Sequence, residues 1–498
     1  VKKILIFFTL LICLLLTLFN DSTLASSMES NIQSFDANSL SRTDGSYWIW
    51  GEERPVPIQI HGLTNVKQSF ESNIVMKNDG STWFWQQNDP SREIEIHQIN
   101  QLNRLVDIHQ KWNTMLALDE EGRVFHIDLQ GKLDTNQIKD INYLKDLEDI
   151  IGISSYYEYR PRNVELRWIF LKKDGKVWIN KGSFPNVELE PMQSLNNVVD
   201  IQQNIALKQD GTVWTWAYEF DNEVVAAPIV TLIEELTDIK KIKTYGNSNL
   251  AIDQENNLWF WGVTLTGYSD GTTRHYQWVP VKLNTINDVK DAFVIERSLI
   301  VLTDSGDVYV TSIQREAMSE NPNFQHLMED VEEIKAGARH LILQKKDGSL
   351  WGWGINKNGQ LGVGDFKVMY DTPKPMQKPV SVYINSETVV MNSGVIIKNG
   401  QAFIPLRSIF ENMGATIDWD TYSKTAIISQ RREEREAITI NVNYTTGVVH
   451  MNNQEMIIAN QPFIIGGTAY LPLRFISEAL GGRVEWISGE DKILIFVD

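Results

Sequence analysis

Cysteine is almost missing from this sequence: Cys13 is the only one among 498 residues, and it lies inside an apolar run near the start. Past that run no disulfide, thiolate metal site or thiol nucleophile can be built. Histidine is scarce as well. The eight, His61, His97, His109, His126, His275, His326, His340 and His450, show no metal-ligand spacing. No Gly-x-Ser-x-Gly turn, no His-Glu-x-x-His pair and no Gly-Lys-Ser/Thr phosphate loop occurs. Basic residues fall short of acidic ones, 46 against 64, for a formal charge of −18. That balance repels nucleic acid and anionic wall polymers. The residues thus give no catalytic constellation, no bound metal or organic cofactor is expected, and function has to be sought in binding.

Only one long apolar run is present, Ile4 to Phe19, with Lys2 and Lys3 before it and Thr23-Leu24-Ala25 closing the polar stretch after it. This is the pattern of a secretory signal peptide over residues 1–25, cleaved after Ala25. An uncleaved membrane anchor is the alternative, since sixteen apolar-dominated residues nearly span a bilayer. The chain is therefore expected outside the cytoplasm, secreted or on the surface of a Gram-positive bacterium, touching membrane only through this segment if it is left uncleaved.

Aromatics and glycines are plentiful, and they repeat. Asp-Gly or a close variant followed by an aromatic strand occurs at Gly45, Gly80, Gly122, Gly175, Gly211, Asn257, Gly306 and Gly348. An apolar segment such as "NIALK" or "HLILQ" precedes each anchor, so each reads as a hairpin turn between two strands. Residues of a W-x-W string share one strand face. Trp48/Trp50, Trp83/Trp85, Trp214/Trp216, Trp259/Trp261 and Trp351/Trp353 are thus expected to wedge between neighbouring sheets. Fourteen of the sixteen tryptophans fall in this repeated part, which favours packing over a sugar-binding stripe.

"HLILQKKDGSLWGWGINKNGQLGVGD" and "WGVTLTGYSDGTTRHYQWVPVKL" resemble the RCC1-type repeat. The resemblance covers about residues 40–376 and implies a β-propeller, in which the glycines of Lys346–Asp365 are turn residues of an outer loop and His340 is a hydrogen-bonded residue near the channel. Seven blades are expected, eight being the alternative. The fold class is mainly β.

A Pro-rich linker, 377–380, leads to a duplication with an offset of 67 residues: "NGQAFIPLRSIFENMGATIDWD" from Asn399 matches "GGTAYLPLRFISEALGGRVEWI" from Gly466. Pro405 suits a first helical turn, Leu406, Ile409, Phe410 and Met413 fall on one helical face, and Gly414 is a stop. A ββαββ-like unit made twice is expected. These residues resemble the copper amine oxidase N-terminal-like domain over about residues 381–498. The resemblance implies an accessory stalk, copper chemistry belonging to a separate catalytic domain. His450 is the only histidine there, too few for a histidine copper site.

The reading is a non-catalytic, extracytoplasmic protein-binding module, the propeller serving as platform and the C-terminal domain as envelope-associating stalk. The partner is an extracellular protein or a cell-wall component. A structural envelope or spore role and polysaccharide binding are the alternatives. Candidate contact residues are Tyr156, Tyr157, Tyr159, Arg160 and Arg162 in the longest interval, and Tyr268, Arg274 and Tyr276 in a second loop, side chains of the kind that dominate binding hot spots. Packing of those tyrosines on the neighbouring blade is the competing reading.

Overall fold

The computed structural model describes residues 31–497 except 88–92, 130–139, 161–162, 183, 185–186, 218–219, 222–223, 226–227, 269–270, 433–434, 459 and 480. The apolar run and the cleavage expected after Ala25 lie outside the described residues, as does Arg162.

The repeat string makes its own turn. Asp79 Oδ1 accepts the Ser81 amide (2.9 Å) and hydroxyl (2.6 Å), and the same hydroxyl accepts the Trp83 indole N–H (2.9 Å). Asp44-Ser46-Trp48, Asp210-Thr212-Trp214 and Asp347-Ser349-Trp351 repeat this relay. The tight turn needs positive φ, which glycine reaches without steric cost; Gly211 sits at φ 80°. Where the glycine is missing, Asn256 takes the position at φ 64°, one residue before the Asn257 expected as the anchor.

From these turns the chain builds eight four-stranded antiparallel sheets in succession, spanning 32–64, 66–103, 105–143, 150–191, 198–232, 239–282, 289–328 and 331–375. Eight sheets, the alternative count, replace the expected seven. The anchors enclose only seven intervals, but the first sheet also draws on Ile32–Phe35 ahead of Gly45, and the last on Met369–Pro375 after Gly348. First strands of successive sheets run side by side, as Ile150–Arg160, Val198–Gln202, Ile239–Tyr245 and Val289–Ile295 do, and so form the inner wall.

A separate apolar core fills each junction between sheets, and the second tryptophan of each pair is buried in one. Trp85 lies between sheets 1 and 2, Trp216 between 4 and 5, Trp261 between 5 and 6, and Trp353 between 7 and 8. The eighth core joins the two ends of the run: Phe35, Leu40, Trp48 and Trp50 of sheet 1 pack with Ile342 and Leu350 of sheet 8. The ring is closed.

The glycine-rich stretch is the clasp of that closure. Asn356 is fully buried and folds the loop, its amide donating to the Asp365 carbonyl (2.9 Å) while its Oδ1 accepts the Leu361 N–H (3.0 Å). The loop then lies on sheet 1, where Trp50 Nε1 donates to Gln360 O (2.9 Å), Glu53 N to Asn358 O (3.0 Å) and Gly364 N to Pro55 O (2.8 Å). A Cβ at Gly359 would stand 2.6 Å from Arg54 O, so only glycine permits this approach. His340 completes the seam. Buried, it is held below the ordinary value of 6.5, and its Nε2–H donates to Ala37 O at 3.0 Å.

The duplicated domain has three sheets and two short helices, α1 (Leu406–Phe410) and α2 (Leu473–Ala479). Strands Gln401–Pro405 and Thr468–Pro472 pair antiparallel with Ile404 opposite Leu471, equivalent residues of the two copies, so an approximate twofold axis passes between them. The copies are not self-contained units. The hairpin of the first, starting at Ser381–Ile384, pairs in parallel with Lys492–Val497 of the second. Pro405 is the last residue of a strand (ψ 121°) rather than part of the first helical turn, because its neighbour strand holds it extended. Leu406, Ile409, Phe410 and Met413 do enter one core.

The stretch 377–380 is bonded at its first three residues, and Val380 is buried in the core of the C-terminal domain. Gln377 N donates to Gly362 O (2.9 Å), Gln377 Oε1 accepts the Ile397 N–H (2.9 Å), Lys378 pairs with Asp491 (3.1 Å), and Pro379 O accepts Arg42 Nη1 (3.2 Å). Arg42 also donates to Glu490 O at 2.8 Å, and Val56 of sheet 1 packs with Ile396, Phe403 and Tyr470. The C-terminal domain is therefore seated on sheet 1, beside the seam.

Candidate protein-binding face

Antiparallel order places the turns between strands one and two, and between strands three and four, at one end of every sheet, with the Asp-Gly turns at the other. The longest interval and the second candidate loop both rise from the first end. In sheet 4 that turn joins strands Ile150–Arg160 and Asn163–Lys172, which pair as far as Arg160 opposite Asn163, whereas the third strand reaches only Ile169. The hairpin thus projects beyond its sheet.

Alternation sorts its side chains. Tyr156 points inward, edge-on to Trp216 (6.2 Å, 73°) in the core shared with sheet 5, so the packing reading holds for this residue. Glu158, on the same side, forms a buried ion pair with Arg167, whose Nη1 donates to Asn180 O (2.9 Å) and whose Nη2 meets Glu165 (2.9 Å). Asn180 in turn accepts the Trp168 amide (2.6 Å) and donates to Gly182 O (2.7 Å). The polar group is costly to bury alone and is held here by these bonds, which fix the hairpin's angle.

The opposite side faces out. Tyr157 packs on Trp112 of sheet 3 (5.2 Å), Trp112 is 65 % exposed and Tyr159 71 %. Arg160 ends the strand. A cleft of about 830 Å³ opens between sheets 3 and 4, walled by Trp112, Val164, Leu166, Trp168 and Phe184 with Glu165 and Lys111 at its edge. Phe184 stacks on His126 (4.9 Å), whose burial lowers its pKa below the ordinary value.

Two sheets further round, Tyr268 is 75 % exposed, Arg274 is exposed, and Tyr276 stacks on Trp278 (5.3 Å, 16°), itself 74 % exposed. His275 bonds across the hairpin to Thr266 Oγ1 (2.7 Å), and Arg297 of sheet 7 braces the hairpin through Thr272 Oγ1 (2.9 Å). Sequence reasoning missed Trp112, Trp278 and Val279. Pairing aligns Trp278-Val279 with Asp371-Thr372 of the last repeat; an apolar pair where a sister repeat is polar was the available signal.

Among the described residues no group of three or more His, Cys, Asp or Glu side chains is placed to hold a metal ion, and no helix is long and apolar enough to cross a membrane.

Fold and site together define a closed ring of repeated four-stranded sheets joined to a duplicated α+β module. Residues 347–391 match the Regulator of chromosome condensation (RCC1) repeat, and residues 383–495 match the Copper amine oxidase N-terminal domain. The last sheet of the ring thus carries an RCC1 repeat, and the duplicated module after it matches a copper amine oxidase N-terminal domain. No curated protein matches it. Similar solved structures include yeast RCC1 (Prp20) bound to Kap60, with 13 % identity over 63 % of this chain and 88 % of that one at a TM-score of 0.41. Human WBSCR16 is similar at 15 % identity over 68 % and 94 %, with a TM-score of 0.40. Prp20p from Saccharomyces cerevisiae gives 13 % over 63 % and 90 %, also at 0.40. The ring itself rests on the eight sheets and eight cores described above.

Proposed function

We propose that this chain is an exported, non-catalytic binding protein whose ring engages an extracellular protein partner on its hairpin-bearing face. The C-terminal domain, on this reading, is the accessory that holds the ring at the cell envelope. One observation carries it: two aromatic groups, Trp112 and Tyr159 with the half-buried Tyr157 between them, and Tyr268/Tyr276/Trp278, stand largely exposed on the same end of the ring. Large aromatic side chains at the surface are unusual in monomers and are the residues that anchor interfaces. The cleft beside Trp112 gives an anchor somewhere to enter. A chain charge of −18 favours a partner with basic residues at the rim.

The test is affinity capture from the producing cells with the full chain and with Trp112→Ala and Trp278→Ala. A discrete protein captured by the wild type, and lost by at least about tenfold in a variant of unchanged unfolding temperature, supports the reading. Equal capture by all three, or retention only on isolated wall polysaccharide, overturns it.

A further inference from the structure

The opposite end of the ring carries a second concavity, made by an irregular segment. Between the third and fourth strands of sheet 7, residues 313–324 do not form a simple loop but run back across the outer side of sheet 6. Ile313 and Met318 are buried in the core between sheets 6 and 7. Four hydrogen bonds pin the path in order: Thr264 Oγ1 to Glu316 O (2.8 Å), Met318 N to Gln277 Oε1 (2.9 Å), Asn284 N to Glu320 O (2.7 Å) and Thr285 Oγ1 to Pro322 O (2.6 Å). Thr264 and Gln277 lie toward the hairpin end, while Asn284 and Thr285 follow the fourth strand at the Asp-Gly end. The strap therefore delivers Asn321–Phe324 to the Asp-Gly end, facing the linker that leads into sheet 7.

Between them lies a cleft of about 700 Å³, within the range of small-molecule sites, about 300–1,000 Å³. Tyr309 and Phe324 supply aromatic surface, and Asn287, Asp288, Asn321 and Asn323 stand around it. Those four side chains are exposed, and among the described residues none of them takes a hydrogen-bond partner within the chain. No lysine or arginine lines the cleft. An anionic ligand would meet Asp288 and Asp304, while Lys346, which donates to Ser305 O (3.0 Å), is not among the lining residues. Three carboxamides each offer donor and acceptor side by side, which matches a hydroxyl that both gives and receives a hydrogen bond. A cationic side chain would use the carboxylates but leave the amide N–H groups facing a charge of the wrong sign.

We infer that this cleft binds a neutral oligosaccharide, its C–H faces against Tyr309 and Phe324 and its hydroxyls on the asparagine and aspartate rim. The site is separate from the aromatic face, and neither reading depends on the other. Calorimetric titration of the full chain with chitotetraose, cellotetraose and tetralysine tests it. One of the two sugars binds the wild type, and Asn287→Ala and Asn323→Ala each weaken it about fivefold, the loss of one hydrogen bond. Trp278→Ala leaves sugar binding unchanged. Both asparagines are exposed, so unfolding temperatures of the variants stay at the wild-type value, and a shared loss of folding would be seen directly. Binding of tetralysine in place of the sugars, no heat from either sugar at millimolar concentration, or sugar binding that survives both substitutions would overturn the inference.

Discussion

Replacing Trp50 by alanine tests whether the ring is shut. Trp50 is 2 % exposed in the core between the first and last sheets, and its indole N–H is spent on Gln360 O across the seam at 2.9 Å. Removing a buried tryptophan costs roughly 3–5 kcal/mol through lost burial and the cavity left behind. The abandoned Gln360 carbonyl adds about 1 kcal/mol unless water reaches it. Trp83 is the control. It opens its W-x-W string where Trp50 closes one, and it is only partly buried, with its indole on the local Ser81 hydroxyl and Lys77 lying 4.3 Å over the ring. Truncating Trp83 should cost clearly less than truncating Trp50. Urea unfolding with hydrogen exchange at Leu40 and Ile342, which flank the seam, separates the cases. If Trp50→Ala shifts the urea midpoint no more than Trp83→Ala, and those amides exchange freely in the wild type, the ends of the ring are not joined as described.

Gly337→Ala should loosen the same seam, since an added Cβ would lie 2.1 Å from His340 Cε1 and push the ring off Ala37 O; a lowered unfolding temperature, relieved when His340 is also made small, is the expected result. Acid should weaken the protein in two windows. His340 is held below its unfolded value of 6.5, so its contribution is complete above that value and is lost as pH falls from there toward the lowered folded value. The hydroxyl and amide of Ser81, Thr212 and Ser349 hold Asp79, Asp210 and Asp347 below 3.8, so their contribution is present above that value and is lost as pH falls through the folded values beneath it. Thermal unfolding against pH, with His340→Gln removing the upper window alone, checks both. The stretch 377–380 is bonded to both domains, so limited proteolysis should spare it in the wild type and cut it once Arg42→Met frees Pro379 O and Glu490 O.

The sheets were legible because the turn chemistry is local: Asp, Gly, a hydroxyl residue and Trp within five positions make one relay in four of the eight sheets, and an Asp-Gly turn or a variant of it marks the others. Trp pairs announced their wedges by the same period of two. The count of sheets was less legible, since sheet 1 gathers strands ahead of its anchor and only the seam contacts between residues near 50 and 360 show where the ring ends. Proline at 405 looked like a helix start because the pairing of Phe403 and Ile404 with the second copy, which holds it extended, is invisible in a linear pattern. The candidate face was half legible. Tyr157 and Tyr159 alternate outward and Tyr156 inward, but Trp112, 47 residues before Tyr159 in the sequence, joins the group only by the packing of sheet 3 on sheet 4. The strap over sheet 6 left almost no mark, for Ile313 and Met318 are ordinary apolar residues until their burial is seen.

Site-specific photo-cross-linking in the producing cells bears most directly on the ring's role. A photoreactive residue replaces Tyr159 or Trp278 on the hairpin-bearing face, or Lys176 at the Asp-Gly end as the comparison. The account predicts one discrete protein adduct, the same from Tyr159 and Trp278 and absent from Lys176. Adducts of equal pattern from all three positions, or none from the first two, would contradict it.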